Sequence, residues 1–322
     1  MNKLPRVELA HLPTPIHPLP RLSSHLDGPE LWIKRDDLTG LAFGGNKTRK
    51  LETLCAAALA QTSDLLITAG AVQSNHCRQT AAAAARLGLD CILVLVGEPP
   101  ETQSANLLLD HLMGAKIRWT PKAKRDETLN SVYDETKSAS RKPYLIPYGG
   151  SNALGASAYV LALKELIDQK ISPDWIVFAT SSGGTQAGLI AGAKMFDFRG
   201  KILGISVDEK AGDVRSHVAQ LAQETSSLLD EQNTFSEKDI LVNDDYLGGG
   251  YAVMGDPERE AIDLFARHEG ILVDPVYTGR AAAGLIDLIR QGLFPKKDRV
   301  LFWHTGGTPA LFADAYRKDL AS

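Results

Sequence analysis

Short apolar runs alternate with helix-forming segments along nearly the whole chain, and this alternation limits the fold more than any single residue does. Leu31 to Lys34, Leu65 to Thr68, Cys91 to Val96, Lys116 to Thr120 and Tyr144 to Pro147 read as strands in the first half. In the second half Trp175 to Ala179, Ile202 to Val207, Ile271 to Val276 and Val300 to Trp303 read the same way. Between them the spacing predicts an Ala-rich helix through Leu87, then Ala105 to Met113, Arg125 to Ala139, Ala156 to Ile167 and Gln186 to Met195. Val214 to Leu229, Pro257 to Arg267, Arg280 to Arg290 and Pro309 to Lys318 continue the series, and Asp244 to Gly255 reads as loops. Prolines 13, 15, 18 and 20 make Leu12 to Pro20 extended rather than helical. Strands joined by such helices specify βαβ units and a parallel sheet. At 322 residues the chain exceeds one ordinary core. The expected class is therefore α/β, with two doubly wound lobes packed closely and the chain crossing between them near Lys47 and Gly155.

Composition removes several functions. A net charge of -4 gives no electrostatic reason to expect nucleic acid or an anionic membrane as a partner, so a small-molecule substrate is expected. Met1 to Val7 carries Lys3 and Arg6 with no apolar run behind it, and no stretch has the roughly 18 apolar residues of a membrane span. A cytoplasmic protein is expected. The three cysteines, Cys55, Cys77 and Cys91, form no CxxC and read as buried free thiols. The eight histidines make no HExxH or comparable cluster, so no metal site is expected.

In open α/β sheets ligands bind at the carboxyl ends of strands where strand order reverses, and the polar loops of this chain lie at such ends. In Gly44-Gly45-Asn46-Lys47-Thr48-Arg49-Lys50-Leu51-Glu52 two glycines deliver a lysine to the first turn of a helix. Leu51, Leu54, Cys55 and Ala58 give that helix its apolar face, and Asn46 is the expected N-cap. The positive end of the helix dipole is expected to lower the pKa of Lys47 and supply a neutral amine. These nine residues alone fit a solvated surface charge better than a reactive amine. Ser181-Ser182-Gly183-Gly184-Thr185 leaves backbone amides free to surround an anion, and reads as a phosphate cradle or a tight turn. It has neither GxxxxGK[ST] nor GxGxxG, which argues against ATP or a dinucleotide. Gln73-Ser74-Asn75-His76 offers hydroxyl and amide groups at a helix start. Asp274-Pro275-Val276-Tyr277-Thr278-Gly279 and Trp303-His304-Thr305-Gly306-Gly307-Thr308 bring further hydroxyls to strand ends, with His304 read as a packing residue. An amine, an anion cradle without ATP features and these hydroxyls together describe a site for pyridoxal 5'-phosphate, which needs a lysine, a phosphate cradle and a polar partner for its ring nitrogen.

On these motifs, with Pro13-Thr14-Pro15, Ile33-Lys34-Arg35-Asp36-Asp37 and Ile146 to Gly155, the chain resembles the tryptophan-synthase-β-like, fold type II pyridoxal phosphate enzymes. Within them it resembles the branch containing D-cysteine desulfhydrase and 1-aminocyclopropane-1-carboxylate deaminase. The resemblance implies two open-sheet lobes with the cofactor in the cleft between them, residues 1–49 with 160–322 as the larger lobe and 50–159 as the inserted one, and a homodimer. It implies Lys47 as the imine lysine, with Lys50, Ser182, Gly183, Gly184 and Thr185 holding the phosphate. Asn75 would bond the ring hydroxyl, Ser74 would sit near the substrate carboxylate or the exchanged lysine, and His76, Tyr251 and Tyr277 would face a small amino-acid substrate. Tyr277, Lys47 and Ser74 are the implied catalytic residues, with Lys47 or Tyr277 removing the α-proton.

Two positions choose the reaction within the branch. The deaminase pattern has an acidic Tyr-Glu pair where this chain has Tyr277-Thr278, and a Leu where it has Thr305. A hydroxyl facing the ring nitrogen leaves it neutral and the electron sink weaker, which suits β-elimination. The resemblance thus implies D-cysteine desulfhydration, giving pyruvate, ammonia and hydrogen sulfide. L-Cysteate sulfo-lyase is the alternative, followed by the deaminase and by a non-catalytic cofactor-binding homologue. Tyr251-Ala252-Val253-Met254 lacks the Gly and Pro usual after this tyrosine, and Thr102 to Asn106 is shortened.

Overall fold

A computed structural model of the chain describes residues 4–320. The reading of Met1 to Val7 therefore falls partly outside the described residues. The chain begins with β1 (Ile16–Pro18), α1 (Pro20–Leu26), β2 (Glu30–Arg35) and α2 (Asn46–Ala60). Then come β3 (Leu65–Ala71), α3 (Asn75–Leu87), β4 (Asp90–Val96), α4 (Ala105–Leu112), β5 (Lys116–Thr120), α5 (Arg125–Ser138) and β6 (Pro143–Leu145). The remainder is α6 (Ala153–Asp168), β7 (Trp175–Thr180), α7 (Gly184–Met195), β8 (Lys201–Ser206), α8 (Ala211–Leu228), β9 (Leu241–Asn243), α9 (Asp256–Glu269), α10 (Thr278–Arg290), β10 (Arg299–His304) and α11 (Asp314–Leu320).

Two sheets form, in the orders β1-β2-β10-β7-β8-β9 and β5-β4-β3-β6. Every pairing is parallel except β1 with β2. Alternation along β10 shows why helices must cover both faces of the larger sheet. Val300 and Phe302 pack with Phe265 of α9 and Leu285 of α10, whereas Leu301 and Trp303 pack with Tyr159 of α6 and Leu189 of α7. In the smaller sheet Leu66, Leu93 and Leu95 meet α2 and α3, with all three cysteines buried there, and Ile67 and Val94 meet Val132 of α5.

The strand expected over Ile271 to Val276 does not form. Pro275 has no N–H for a ladder, and side chains take the neighbouring groups: His304 Nε2 donates to Leu272 O, and Asp274 N donates to Thr278 Oγ1. The helix expected over Pro309 to Lys318 is broken at Ala313, whose ψ of 139° is extended, into a 3-10 turn and α11. Helix α1 begins within the segment expected to be extended, with Pro20 at its first position, where the missing N–H goes unused. Among the described residues no helix is long and apolar enough to cross a membrane.

Candidate active site

Strand order reverses between β7 and β10 in one sheet and between β3 and β6 in the other. The carboxyl ends of these four strands converge with the start of α2 on one cleft. Lysines, hydroxyl-bearing side chains and glycines make up most of its lining. Lys47 and Lys50 come from α2, Ser74 caps α3 beyond β3 and Asn75 and His76 open that helix, and Tyr148 and Gly149 follow β6. Thr180 ends β7, Ser181 to Thr185 follow it, and Thr305 and Gly306 follow β10. Tyr277 also lines the cleft. Tyr251 and Thr278 are not among the lining residues.

Gly45, not Asn46, is the N-cap of α2. Its φ of 125° is open to glycine, and a Cβ there would lie 2.5 Å from Gln79 Nε2. Asn46, already inside the helix, donates through Nδ2 to Thr185 Oγ1 at 3.1 Å and so joins α2 to the loop after β7. Burial lowers the pKa of Lys47 to about 8, opposed by the carboxylate of Asp208. A helix terminus supplies about 0.3–1 kcal/mol, less than one pKa unit, so burial, rather than the dipole invoked from sequence, is the main cause. Lys47 Nζ makes no hydrogen bond among the described residues.

Lys50 is 1% exposed and has no carboxylate partner among the described residues. Its Nζ donates to Gly149 O and Ser151 Oγ, both at 3.2 Å. Burial, and then the charge of Lys47, hold its pKa well below the ordinary value. The first turn of α7 faces it: a Cβ on Gly184 would sit 2.9 Å from Lys50 Nζ and 2.6 Å from Ser151 Oγ. Two lysines without a neutralising carboxylate in contact, set beside a helix N-terminus, are built to receive a multiply charged anion such as a phosphate monoester. The residues therefore fit pyridoxal phosphate. Ser151, which the sequence reading did not single out, bonds Lys50, Ser182 Oγ at 2.8 Å and Gly184 N at 3.2 Å. Its signal was the strand followed by Gly149-Gly150-Ser151, the same pattern as Gly306-Gly307-Thr308.

Ser74 is the N-cap of α3, its Oγ accepting from Cys77 N at 3.2 Å, and a side-chain hydrogen bond also joins it to Cys77. His76 is neutral: burial depresses its pKa, and because Thr68 Oγ1 donates to Ile146 O, it accepts from His76 Nε2 at 2.9 Å. The Thr278 hydroxyl donates to Asp274 Oδ1 at 2.7 Å and accepts from Asp274 N at 2.8 Å. It is engaged in its own turn, whereas Thr305 Oγ1 makes no hydrogen bond among the described residues and stands at the cleft wall. Tyr251 reaches the site through Tyr277, their hydroxyls 2.6 Å apart.

Residues 7–306 match the family model described as pyridoxal-phosphate dependent enzyme. The chain is 43% identical to a D-cysteine desulfhydrase of Klebsiella pneumoniae subsp. pneumoniae and 44% identical to one of Klebsiella pneumoniae strain 342, over 97% of each chain in both cases. A crystal structure of an ACC deaminase homologue superposes with a TM-score of 0.90 at 39% identity, covering 99% of this chain and 96% of the other. A pyridoxal 5'-phosphate-dependent aspartate racemase, 17% identical over 91% of this chain and 90% of its own, shares the fold with a TM-score of 0.65.

Proposed function

The chain belongs to the pyridoxal-phosphate dependent enzymes, and from that membership we propose that it is a carbon-sulfur lyase acting on D-cysteine, releasing pyruvate, ammonia and hydrogen sulfide. Near-full-length identity to D-cysteine desulfhydrases is the observation that carries the substrate. Thr278 and Thr305, where the deaminase pattern has an acidic residue and a Leu, agree with it. The bound cofactor supplies an electron sink for charge developing at the substrate α-carbon.

Lys47 would hold the cofactor covalently, with Lys50 and the amides of Ser182 to Thr185 on its phosphate. Asn75 would meet the ring hydroxyl and Thr305 or Thr278 the ring nitrogen. Ser74 would meet the substrate carboxylate through its hydroxyl. With a pKa of about 8, Lys47 is the better base for the α-proton. Burial holds the Tyr277 phenol well above its ordinary value, so it stays protonated at neutral pH and serves as a donor. The same resemblance supports a cytoplasmic homodimer, with residues 50–159 as the inserted lobe.

Steady-state assays with D-cysteine, L-cysteine, L-cysteate, D-serine and the cyclopropane amino acid, read by pyruvate and sulfide together, test the assignment. Equal release of both from D-cysteine is expected. Pyruvate from L-cysteate without any from D-cysteine would replace the proposed substrate, and 2-oxobutanoate from the cyclopropane amino acid would replace the reaction.

A further inference from the structure

Arg78, on the first turn of α3, is fully buried yet has no carboxylate within ion-pair distance among the described residues. A buried guanidinium without a direct counter-charge is unfavourable, and burial pulls its pKa down to about 10, with Asp110 and Asp274 acting only from a distance. What holds it is three neutral oxygens. Nη1 donates to Asn75 Oδ1 at 2.9 Å and to Asn106 Oδ1 at 2.7 Å, and Nη2 donates to Gly44 O at 2.8 Å. Asn106 Nδ2 donates to the same Asn75 Oδ1 at 3.0 Å.

Arginine can only donate, so the Asn75 atom facing it must be the oxygen, and the amide orientation is unambiguous. Two donors occupy Oδ1. Asn75 Nδ2 makes no hydrogen bond among the described residues, and Asn75 lines the cleft. We propose that Arg78 is a positioning residue that locks the Asn75 amide with Nδ2, a donor only, turned to the cofactor ring. An amide free to flip would offer either a donor or an acceptor there. Locked, it selects a ring oxygen that has lost its proton, the form in which the bound cofactor absorbs in the visible. The Gly44 O contact anchors the guanidinium to the turn that carries Lys47. This inference rests on the pyridoxal phosphate reading of the cleft.

The full-length protein reconstituted with pyridoxal phosphate provides the test. Arg78→Lys keeps a cation but lacks the planar fork that reaches three oxygens. We expect the cofactor Kd to rise about tenfold, the lower end of what outer-sphere partners contribute at metal sites. Absorbance should move from the visible band toward the near ultraviolet, a change that loss of packing alone does not produce. In a double-mutant cycle with Asn75→Ala, Arg78→Lys should add less than about twofold to the loss in affinity, because its effect passes through the missing amide. Losses that multiply, or an unchanged band and Kd in a protein with lowered Tm, would show that Arg78 only supports the fold. Should Arg78→Lys fail to fold, Arg78→Gln decides: it is neutral, so burial no longer opposes it, and it lacks the guanidinium that holds Asn75 Oδ1, so the same band shift is expected. No shift there overturns the inference. A wild-type protein with no visible band after cofactor addition overturns the proposed function instead, and this inference with it.

Discussion

The hydroxyls of Tyr251 and Tyr277 lie 2.6 Å apart, and their rings meet edge to face at 73° with centroids 6.0 Å apart. Burial raises both phenols above their ordinary pKa, so the pair shares neutral protons rather than holding a phenolate. Two hydroxyls in one hydrogen bond act as a unit. Tyr251→Phe and Tyr277→Phe are each expected to lower kcat/KM by roughly 10- to 100-fold, with the double variant no worse than the weaker single one. Steady-state kinetics on the three variants checks this, and multiplicative losses would mean the two phenols act separately.

Lys47 gives a pH dependence whose sign follows from its lowered pKa. In the apo protein the amine must be neutral to attack the cofactor aldehyde, and with a pKa of about 8 roughly a tenth is neutral at pH 7. The rate of cofactor capture should therefore rise about tenfold per pH unit below 8 and level off above it. A solvated lysine would keep gaining up to the ordinary value of 10.5. Because the unfolded chain binds the extra proton between these two values, apo stability from this group rises with pH across the same window. Stopped-flow absorbance at fixed ionic strength measures the capture rate, and a continued rise beyond pH 9 would contradict the burial of Lys47.

The strands were legible because apolar runs of strand length bounded by polar turns have few other uses. The buried strands β3, β4 and β7 announce themselves in this way. Ile271 to Val276 is similarly apolar but contains Asp274 and Pro275, and the pairing it would need is taken by the side chains of His304 and Thr278. Local pattern carries no information about that competition. The short β9 and α1 were missed because three and seven residues show too little periodicity. The site was legible as a set of loops, since Gly and hydroxyl residues after strands are local features. That β10 inserts between β2 and β7, more than a hundred residues away from either, was not. Neither was the capping of α2 by Gly45, because Asn46 carries the better cap side chain but is drawn to Thr185 instead.

Two glycines four residues apart on α7 should respond in opposite ways. A Cβ on Gly188 would lie 2.1 Å from Ala156 O and 2.5 Å from Tyr159 Cβ, on the backbone crossing of α6 and α7. Gly188→Ala should destabilise the fold by about 1–3 kcal/mol or more, since neither backbone can yield. On Gly184 the same atom meets first the Ser151 hydroxyl and Lys50 Nζ, ends of side chains that can move, and then Ser151 Cα at 3.0 Å, which has to give by only a few tenths of an ångström. Gly184→Ala should fold with little loss and bind the cofactor at least tenfold more weakly. Thermal unfolding of the apo proteins and cofactor titration separate the two cases, and equal loss of stability in both would refute the distinction.

Lys50 sets folding against binding. Burial and the charge of Lys47 disfavour its charged form, and its partners among the described residues are the neutral Gly149 O and Ser151 Oγ, so whatever charge it carries stays uncompensated until an anion enters. Lys50→Met removes that charge at similar length, so the apo protein should gain on the order of 1 kcal/mol or more. Cofactor affinity should fall about 10- to 100-fold with loss of a charge-assisted bond to phosphate. Inorganic phosphate provides the cleaner reading, because it needs the cradle but not Lys47. At about 100 times its Kd it should stabilise the wild-type apo protein by roughly 2.7 kcal/mol and leave the variant almost unchanged. Apo unfolding followed with and without phosphate, at constant ionic strength, measures both effects. A variant less stable than wild type, yet still stabilised by phosphate, would mean that Lys50 is a packing residue and that the anion sits elsewhere.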